Sequence, residues 1–426
     1  MIMAMMKSSN TEWLGDIPAE WDVAQIDNYY ELRNEKVSDY DFEPLSVTMK
    51  GIVPQLATAA KSDDHSNRKL VKKGDFVINS RSDRRGSCGI SSLNGSVSLI
   101  NIVMEPRGEM NPQYYNWLFH TEQFADEFYK WGHGIVNDLW TTRWQEMKKI
   151  LIVAPSPDEQ QAIADYLDKT STKIDEIIAE TKASIEEYKE LKKAVIFEVV
   201  TKGLDKTAEV KDSGYDFIGC IPDKWEMCKV RHLGTAQNGI SIGGDAFGSG
   251  YPFVSYGDVY KNYSLPKTVD KLVQSSEEDR KRYSVEKGDW FFTRTSETID
   301  EVGFSCVCEE TIPDAVFAGF LIRVRPFNNR IYTGFAKYYF RSKHLRAFFV
   351  KEMNLVTRAS LSQGLLKDTP VVVPPYDEQI EIANYLENRC ATIDGIIKDK
   401  ESLIKDLEAY KKSLIYEVVT GKRRVV

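Results

Sequence analysis

The stretch DEQQAIADYLDKTSTKIDEII at residues 158–178 returns as DEQIEIANYLENRCATIDGII at residues 377–397. With the segments that follow, residues 158–201 align without a gap to residues 377–420 at an offset of 219, and 19 of the 44 positions are identical. A second repeat lies upstream of each copy: WLGDIPAEW at 13–21 matches FIGCIPDKW at 217–225. A period of about 200 residues is too long for a solenoid unit. The sequence therefore predicts two domains of one architecture, related by a pseudo-two-fold.

The bulk composition is that of an ordinary globular protein. The chain has 426 residues, of which 42% are hydrophobic and 28% charged, and a chain of this length is expected to form two or three domains. The opening MIMAMMK lacks the apolar core of a signal peptide, and no apolar run is long enough to predict a membrane span. The six cysteines form no Cys-x-x-Cys pair, which favours reduced thiols and a cytoplasmic location.

The formal net charge of −8 counts against a protein whose surface is dominated by phosphate contacts. It does not exclude DNA binding, because the positive charge that contacts DNA is local. Much of the acidic charge lies in the repeated segments, whereas basic clusters lie between them. A nucleic-acid contact is therefore expected in the segments between the repeats.

Each repeated segment begins with a helix signal. Ser156, Pro157 and Glu159 supply an N-cap, a proline at the first helical position and a capping-box carboxylate. A short helix is predicted to run to about Asp168, and a longer helix is predicted to begin near Thr172. Glycines suited to C-caps follow the two copies at positions 203 and 421.

Apolar residues recur at intervals of three and four in both copies, which is typical of a helix that pairs with another helix. Packing of each stripe on its own globular domain is the alternative. Because the chain supplies two matching stripes, we expect the two helices to pair antiparallel. The predicted pairing residues are Ile174, Ile177, Ile178, Ile185, Tyr188, Leu191, Val195, Ile393, Ile396, Ile397, Leu403, Ile404, Leu407, Tyr410 and Leu414.

The segments between the repeats are predicted to be α+β and rich in strands. Each contains Lys-Gly-Asp followed by an apolar strand, at residues 70–78 and 285–292, and this pattern predicts a hairpin. A helix is predicted in each segment, over Pro112 to Trp131 and Thr333 to Glu352. Apolar strands at residues 150–153 and 371–373 are predicted to lead into the repeated helices.

Arginines flanked by small polar residues follow both Lys-Gly-Asp strands. Such residues suit DNA, because arginine bonds guanine or phosphate while hydroxyl and amide groups bond phosphate oxygens. A solvated polar loop is an equal alternative on composition, and isolated charge runs are usually solvated surface. The candidate DNA-binding residues are Arg68, Lys69, Asn79, Ser80, Arg81, Arg84, Arg85, Arg280, Arg282, Thr293, Arg294 and Thr295.

The sequence offers no catalytic or metal-binding constellation. Val373-Pro374-Pro375-Tyr376 resembles the motif of amino-methyltransferases, but those enzymes carry a polar first residue and valine accepts no hydrogen bond through its side chain. The five histidines do not cluster with cysteines, so no metal site is predicted. We therefore expect this chain to have no active site.

These motifs together resemble the specificity (S) subunit of type I restriction–modification systems. The resemblance rests on the two WLGDIPAEW-like starts, the DEQ…IA.YL helix starts, the Ile-Asp-x-Ile-Ile segments and the duplicated layout, and it covers essentially the whole chain. Pro-Ser-Pro and Pro-Pro-Tyr stand where that family usually has Pro-Pro-Leu. The matching residues are Asp158, Glu159, Gln160, Ile163, Ala164, Tyr166, Leu167 and Ile174, and in the second copy Asp377, Glu378, Gln379, Ile382, Ala383, Tyr385, Leu386 and Ile393.

The resemblance implies an α+β chain with two pseudo-symmetric α/β target recognition domains, separated by two long antiparallel helices that form a coiled coil. The implied regions are recognition domain 1 at residues 1–155, a central helical spacer at 156–204, recognition domain 2 at 205–374 and a C-terminal helical spacer at 375–426.

The same resemblance implies a subunit without catalytic activity. Each recognition domain would read one half of a bipartite site in double-stranded DNA, and the helices would set the gap and dock two modification (M) subunits. Restriction (R) subunits would join the full complex. No cofactor is expected in this chain, whereas S-adenosylmethionine, ATP and Mg²⁺ are expected on the partner subunits, and no membrane is involved.

Two other classes of function remain open on the sequence. One is a stand-alone DNA adenine methyltransferase with its own recognition domains, which the absence of cofactor-binding motifs disfavours. The other is a coiled-coil scaffold with two protein-binding domains and no role with DNA, which salt-sensitive duplex binding would distinguish.

Overall fold

The computed structural model describes residues 5–58, 65–134, 140–296, 302–352 and 359–425. The chain forms two compact units, one from Met1–Lys182 with Glu401–Val426 and the other from Ala183–Lys400. Each unit therefore combines one segment that lies between the repeats with one part of each repeated helix. In the described part of the chain, no helix is both long enough and apolar enough to span a membrane.

The elements up to the first long helix are mostly short strands. They are β1 (Met6–Ser8), β2 (Asp16–Pro18), β3 (Asp22–Gln25), β4 (Tyr30–Leu32), β5 (Lys36–Val37), β6 (Leu45–Thr48), β7 (Gly51–Pro54), β8 (Arg68–Val71), β9 (Phe76–Asn79), β10 (Cys88–Ile90), β11 (Gly95–Ser98), β12 (Asn101–Pro106), α1 (Pro112–Phe119), α2 (Glu122–Lys130), α3 (Trp144–Met147), β13 (Leu151–Ala154) and α4 (Pro157–Lys202).

The rest of the chain repeats this pattern with differences in the middle. Its elements are β14 (Val210–Asp212), β15 (Cys220–Pro222), β16 (Glu226–Lys229), β17 (Gly234–Asn238), β18 (Phe247–Val254), α5 (Tyr256–Lys261), β19 (Leu272–Val273), α6 (Glu277–Arg282), β20 (Trp290–Thr293), β21 (Thr295–Ser296), β22 (Ser305–Val307), β23 (Val316–Phe317), β24 (Leu321–Pro326), α7 (Thr333–Tyr339), α8 (Lys343–Glu352), β25 (Ala359–Ser360), α9 (Gln363–Asp368), β26 (Pro370–Val373) and α10 (Tyr376–Val419).

A four-stranded antiparallel sheet lies at the centre of each unit. Its strand order is β10-β9-β12-β4 in the first unit and β22-β20-β24-β17 in the second. The registers also correspond, because Phe76 pairs with Met104 and Trp290 pairs with Val324. The predicted duplication of architecture is therefore confirmed at the level of strand order and register.

The predicted Lys-Gly-Asp hairpin is wrong, although its turn forms. Strand β8 pairs with β5 and β11, whereas β9 pairs with β10 and β12, so the turn joins strands of two different sheets. The buried carboxylate of Asp75 accepts hydrogen bonds from the Lys72 backbone N–H at 2.8 Å and from Arg33 Nε at 2.7 Å. In the second unit the Asp289 carboxylate accepts the equivalent hydrogen bonds, from Glu286 N at 2.8 Å and from Arg325 Nε at 2.7 Å. The aspartate thus holds a turn between sheets.

The predicted break in the first repeated helix does not occur. Helix α4 runs for 46 residues from Pro157 to Lys202 without interruption. Within the polar stretch, the Thr172 hydroxyl donates to the carbonyl of Asp168 at 2.7 Å. A threonine that bonds to the preceding turn in this way can remain inside a helix. The polar run therefore does not end the helix.

Each of the two shorter predicted helices is instead two helices. Thr121 interrupts the first as the N-cap of α2, with extended backbone and a side chain that accepts from Phe124 N at 3.2 Å. In the second unit, α7 ends at Tyr339 and α8 begins at Lys343. A residue that caps a helix N-terminus has non-helical dihedrals, so the chain turns at this point.

Contacts inside each unit show that the long helices α4 and α10 are antiparallel. Residue numbers rise along one helix as they fall along the other. In the first unit, Glu159 lies 3.3 Å from Arg424, and Asp175 lies 2.7 Å from Lys411.

The second unit shows the same antiparallel arrangement. The Lys400 Nζ lies 5.7 Å from the ring centroid of Tyr188, and Lys192 lies 2.6 Å from Asp394.

One of these ion pairs is formed twice by equivalent residues. Asp175 and Asp394 are related by the offset of 219, and so are Lys192 and Lys411. Each aspartate bonds the lysine of the other copy, at 2.7 Å in the first unit and 2.6 Å in the second. Exposed ion pairs of this kind contribute little stability. Their value here is that they show the same helix register in both units.

The predicted apolar stripe is only partly buried. Four of its residues have a relative exposure of at least 40%, and these do not pack in a core. The buried members are Ile174, Ile178, Ile185, Ile393 and Leu414; the half-buried members are Tyr188, Val195, Ile396, Ile397, Ile404 and Leu407; the exposed members are Ile177, Leu191, Leu403 and Tyr410.

The end of each long helix is buried in the apolar core of one unit. Val418 and Val419 of α10 lie in the same apolar core as Trp21, and Val199 and Val200 of α4 lie in the same core as Trp225. The indole N–H of each tryptophan bonds the glutamate at the start of the other helix. These bonds are Trp21 to Glu159 at 3.2 Å and Trp225 to Glu378 at 2.8 Å.

Glycine follows each buried helix end, as predicted. Gly203 and Gly421 have φ of +74° and +72°, in the left-handed region. A Cβ on Gly421 would lie 2.4 Å from Pro18 and 2.9 Å from Trp21. The repeated Ile-Pro-x-x-Trp motif therefore packs directly on the turn that ends the helix.

Replacing Gly421 with alanine should destabilise the first unit by about 1 kcal/mol or more, because alanine disfavours the left-handed region and meets Pro18. Gly395 is the matched control: it lies inside α10 with open space around it, so Gly395→Ala should stabilise the protein by about 0.5–1 kcal/mol. Thermal unfolding midpoints measure both changes. A Gly421→Ala protein as stable as the wild type would contradict the packing described here.

Candidate nucleic-acid interface

Three chain segments meet side by side at one end of the four-stranded sheet in the first unit. Ser80, which follows β9, donates its backbone N–H to the carbonyl of Ile100 at 3.3 Å. Thr142 donates its N–H to the carbonyl of Ser80 at 3.0 Å. We call the segments around Ser80, Ile100 and Thr142 the strand-end edge of this unit.

The second unit has the same strand-end edge. Arg294, which follows β20, donates its backbone N–H to the carbonyl of Phe320 at 2.9 Å. Leu361 in turn donates to the carbonyl of Arg294 at 2.7 Å. The predicted residues that follow β9 and β20 therefore lie at equivalent ends of the two four-stranded sheets.

The two key arginines are nevertheless one position out of register. Hydrogen bonding makes Ser80 equivalent to Arg294. The next residues are also equivalent, because Arg81 forms a β-bridge with Thr141 and Thr295 pairs with Ser360. Arg81 is therefore equivalent to Thr295, the residue after Arg294, and not to Arg294 itself. Both arginines are half-buried.

Most of the flanking polar side chains hold the backbone of the edge. Asn79, buried, accepts from the Arg81 backbone N–H at 3.0 Å, and the Ser80 hydroxyl donates to the carbonyl of Ile100. In the second unit the buried Thr293 hydroxyl accepts from Phe304 N at 2.9 Å, and Thr295 lies in β21. The pattern of small polar residues around arginine thus shapes the loop.

Arg68 and Lys69 lie in β8 and are engaged with the protein. Arg68 is 7% exposed, and its Nε and Nη2 donate to the hydroxyl and the carbonyl of Ser96 at 2.8 and 3.1 Å. Lys69 Nζ donates to the carbonyl of Asn101 at 2.6 Å. Burial lowers the pKa of both side chains. This placement counts against a direct contact of either residue with DNA.

The remaining candidates are surface residues outside the strand-end edge or beside it. Arg84 is exposed and lies 3.7 Å from Asp83, and Arg85 pairs with Asp126. On α6, the guanidinium of Arg280 stacks 3.7 Å above the ring of Tyr251. Arg282, on the same helix, is exposed. Within each unit, the candidate residues therefore do not all lie at the strand-end edge.

The sequence interpretation missed the turn that completes each edge. Its central residues are Leu99 and Ile100 between β11 and β12, and Gly319 and Phe320 between β23 and β24. Phe320 is 64% exposed, and Leu99 and Ile100 are each 38% exposed. Apolar residues are unusual at a turn, where glycine and small polar residues dominate. That departure is the signal by which the sequence could have identified them.

The described residues include histidines, carboxylates and free thiols, which are the groups that most often bind metal ions or act as nucleophiles. Within those residues, no group of three or more His, Cys, Asp or Glu side chains is arranged to hold a metal ion. All six cysteines are free thiols, and burial raises the pKa of Cys88, Cys306 and Cys308. A raised pKa keeps a thiol protonated, and the protonated thiol is a poor nucleophile.

The chain is similar in sequence to known specificity subunits. It is 22% identical over 289 residues to the type I restriction enzyme EcoKI specificity subunit of Escherichia coli, a match that takes in 64% of this chain and 58% of that protein. This chain therefore spans less than two thirds of that relative's length. It is 21% identical to the type I restriction enzyme MjaVIII specificity subunit of Methanocaldococcus jannaschii, covering 100% of this chain and 98% of the relative.

The fold is also similar to a solved chain from a study of complex assembly and conformational transition of the type I R-M system. The TM-score is 0.73 at 14% identity, over 96% of this chain and 99% of that one. At this level of identity the likeness shows the fold.

The type I restriction modification DNA specificity domain model matches twice, at residues 18–187 and 222–405, which together make up most of the chain. Each match takes in one four-stranded sheet, its strand-end edge and part of a long helix. The chain belongs to the family of type I restriction modification DNA specificity domains.

Proposed function

We propose that this chain is the DNA sequence-specificity subunit of a type I restriction–modification complex and has no catalytic activity of its own. Each recognition segment reads one half of a bipartite site in double-stranded DNA. The observation that carries the proposal is the repetition of one strand-end edge in two units, each matched by a DNA specificity domain.

The two strand-end edges suit DNA chemically. Each presents an arginine beside a loop whose polar groups fix the backbone, and arginine can bond guanine or phosphate. The edges differ in side chains, with Ser80 and Arg81 in one and Arg294 and Thr295 in the other. Two edges with the same backbone arrangement but different side chains can read two half-sites of different sequence.

The long helices support a second role for the chain. Since α4 begins in one unit and ends in the other, and α10 does the reverse, the pair can set the gap between half-sites. Their exposed apolar residues suit contact with two modification subunits. In this proposal those partners carry S-adenosylmethionine and methylate adenine, and restriction subunits add the chemistry that needs ATP and Mg²⁺.

The purified chain alone should show no methyltransferase, nuclease or ATPase activity. Adding the modification subunit and S-adenosylmethionine should produce adenine methylation. Transfer of a labelled methyl group to DNA measures this, with the modification subunit alone as control. Methyl transfer by the isolated specificity chain would overturn the proposal in favour of a stand-alone methyltransferase.

Arg81→Ala should weaken DNA binding without preventing assembly with the modification subunit. Loss of a base contact costs about 1–3 kcal/mol, whereas loss of a phosphate contact mainly lowers the salt dependence by about one unit of slope. The matched control is Arg107→Ala, at the opposite end of β12 from the strand-end edge. Arg294→Ala makes the same test in the second unit. Wild-type affinity and wild-type salt slope in both edge variants would show that these arginines do not contact DNA.

Lengthening both long helices by four residues should change the gap and leave the half-sites unchanged. Insertions after Ala183 and after Ser402 fall at equivalent positions and add roughly 6 Å to each helix, or about one to two base-pair rises. Methylome mapping reads the recognised sequence directly.

An insertion in α4 alone is the control for the helix variant. It shifts Asp175 and Lys192 apart while their partners on α10 stay in place, so pairing and activity should be lost. An active double insertion with altered half-site bases and an unchanged gap would refute the spacing role of these helices.

A further inference from the structure

The turn of each strand-end edge presents an apolar side chain to solvent. In the second unit, Leu321 N bonds the carbonyl of Ala318 at 3.0 Å, so Gly319 and Phe320 are the central residues of a tight turn. Phe320 is 64% exposed at this tip. Its equivalent in the first unit is Ile100, 38% exposed, at the central position of the turn between β11 and β12.

Exposure of a single apolar residue needs no explanation by itself. Phe327 illustrates this, because it is 60% exposed at the other end of β24. The equivalent residue in the first unit is Arg107, so apolar exposure is not repeated at that end. At the strand-end edge it is repeated. The recurrence of an exposed apolar tip at equivalent positions of two diverged units therefore indicates a shared use.

The residues beside each exposed turn residue indicate the kind of molecule that the turn contacts. Phe320 is hydrogen-bonded through its carbonyl to Arg294, and Ile100 is bonded in the same way to Ser80, the residue before Arg81. An arginine beside an exposed apolar side chain fits duplex DNA, since the cation bonds guanine or phosphate while the apolar group contacts the thymine methyl. Apolar side chains can also enter between base steps.

We propose that Ile100 and Phe320 are specificity-determining residues, each of which contacts bases of one half-site through its apolar side chain. This inference rests on the proposed function as a DNA specificity subunit. It adds that base readout is shared between the arginines, which follow β9 and β20, and the turn tips, which precede β12 and β24 of the same two sheets. Docking of the tips on a partner subunit is the alternative that the experiment must separate.

The test uses the complex of the full chain with its modification subunit. Phe320→Ala should reduce affinity for the recognised duplex about tenfold, which is the loss expected for one well-placed base contact. The dependence of affinity on salt should stay unchanged, because no charge is removed. Methylome mapping should show relaxed choice at a position of one half-site only, and Ile100→Ala should relax the other.

Phe327→Ala is the matched control, since it removes the same side chain from a similarly exposed position just beyond the other end of β24. It should leave the affinity and the methylated sequence unchanged. Thermal unfolding midpoints of the two phenylalanine variants should equal that of the wild type, because both side chains are exposed.

The outcomes separate the inference from the function on which it rests. A Phe320→Ala complex that keeps the wild-type affinity and methylated sequence overturns the role of the tip. Weakened assembly with the modification subunit, with unchanged base choice once assembled, overturns it too and makes the tip a protein contact. If the wild-type complex methylates no defined sequence, the proposed function itself fails.

Discussion

The burial of a Val-Val pair at the end of each long helix is the interaction on which the fold depends. Val418 and Val419 complete the core that contains Trp21, and Val199 and Val200 complete the core that contains Trp225. Full burial of one such side chain contributes about 1.5–3 kcal/mol. The core of each unit therefore needs the end of one long helix and the start of the other, so neither core is complete from consecutive residues alone.

This dependence explains why the repeats occur where they do. The upstream repeat supplies the tryptophan and proline that pack on the helix end, and the longer repeat supplies the glutamate that the indole bonds. The two motifs lie far apart in sequence but meet in each unit. A change in the register of the helices would therefore disturb both cores, whereas equal insertions at equivalent positions of both helices keep that register.

The sequence predicted what is encoded by repetition and missed what depends on pairing between distant segments. Matching stripes predicted antiparallel helices, and the glycines after the two copies predicted C-caps; both predictions are confirmed. The Lys-Gly-Asp hairpin was wrong because strand partners are chosen across the sheet, so β8 and β9 separate after an ordinary turn. The break near Thr172 was wrong because its hydroxyl bonds within the helix. Burial of Arg68 could not be foreseen, since it depends on Ser96, 28 residues away.

At the candidate site, too, the backbone arrangement is repeated whereas the side chains are not. The two backbone hydrogen bonds that define the strand-end edge recur in the second unit, whereas the side chains differ: serine is equivalent to arginine, and isoleucine to phenylalanine. Buried groups such as Asn79 and Thr293 hold the backbone of each edge. The edge therefore tolerates changes of its exposed side chains, because its stability does not depend on them. Stability and recognition thus rest on different atoms of one edge. Under the proposed function, either half of the chain can therefore change the bases that it reads without loss of the cores that the long helices complete.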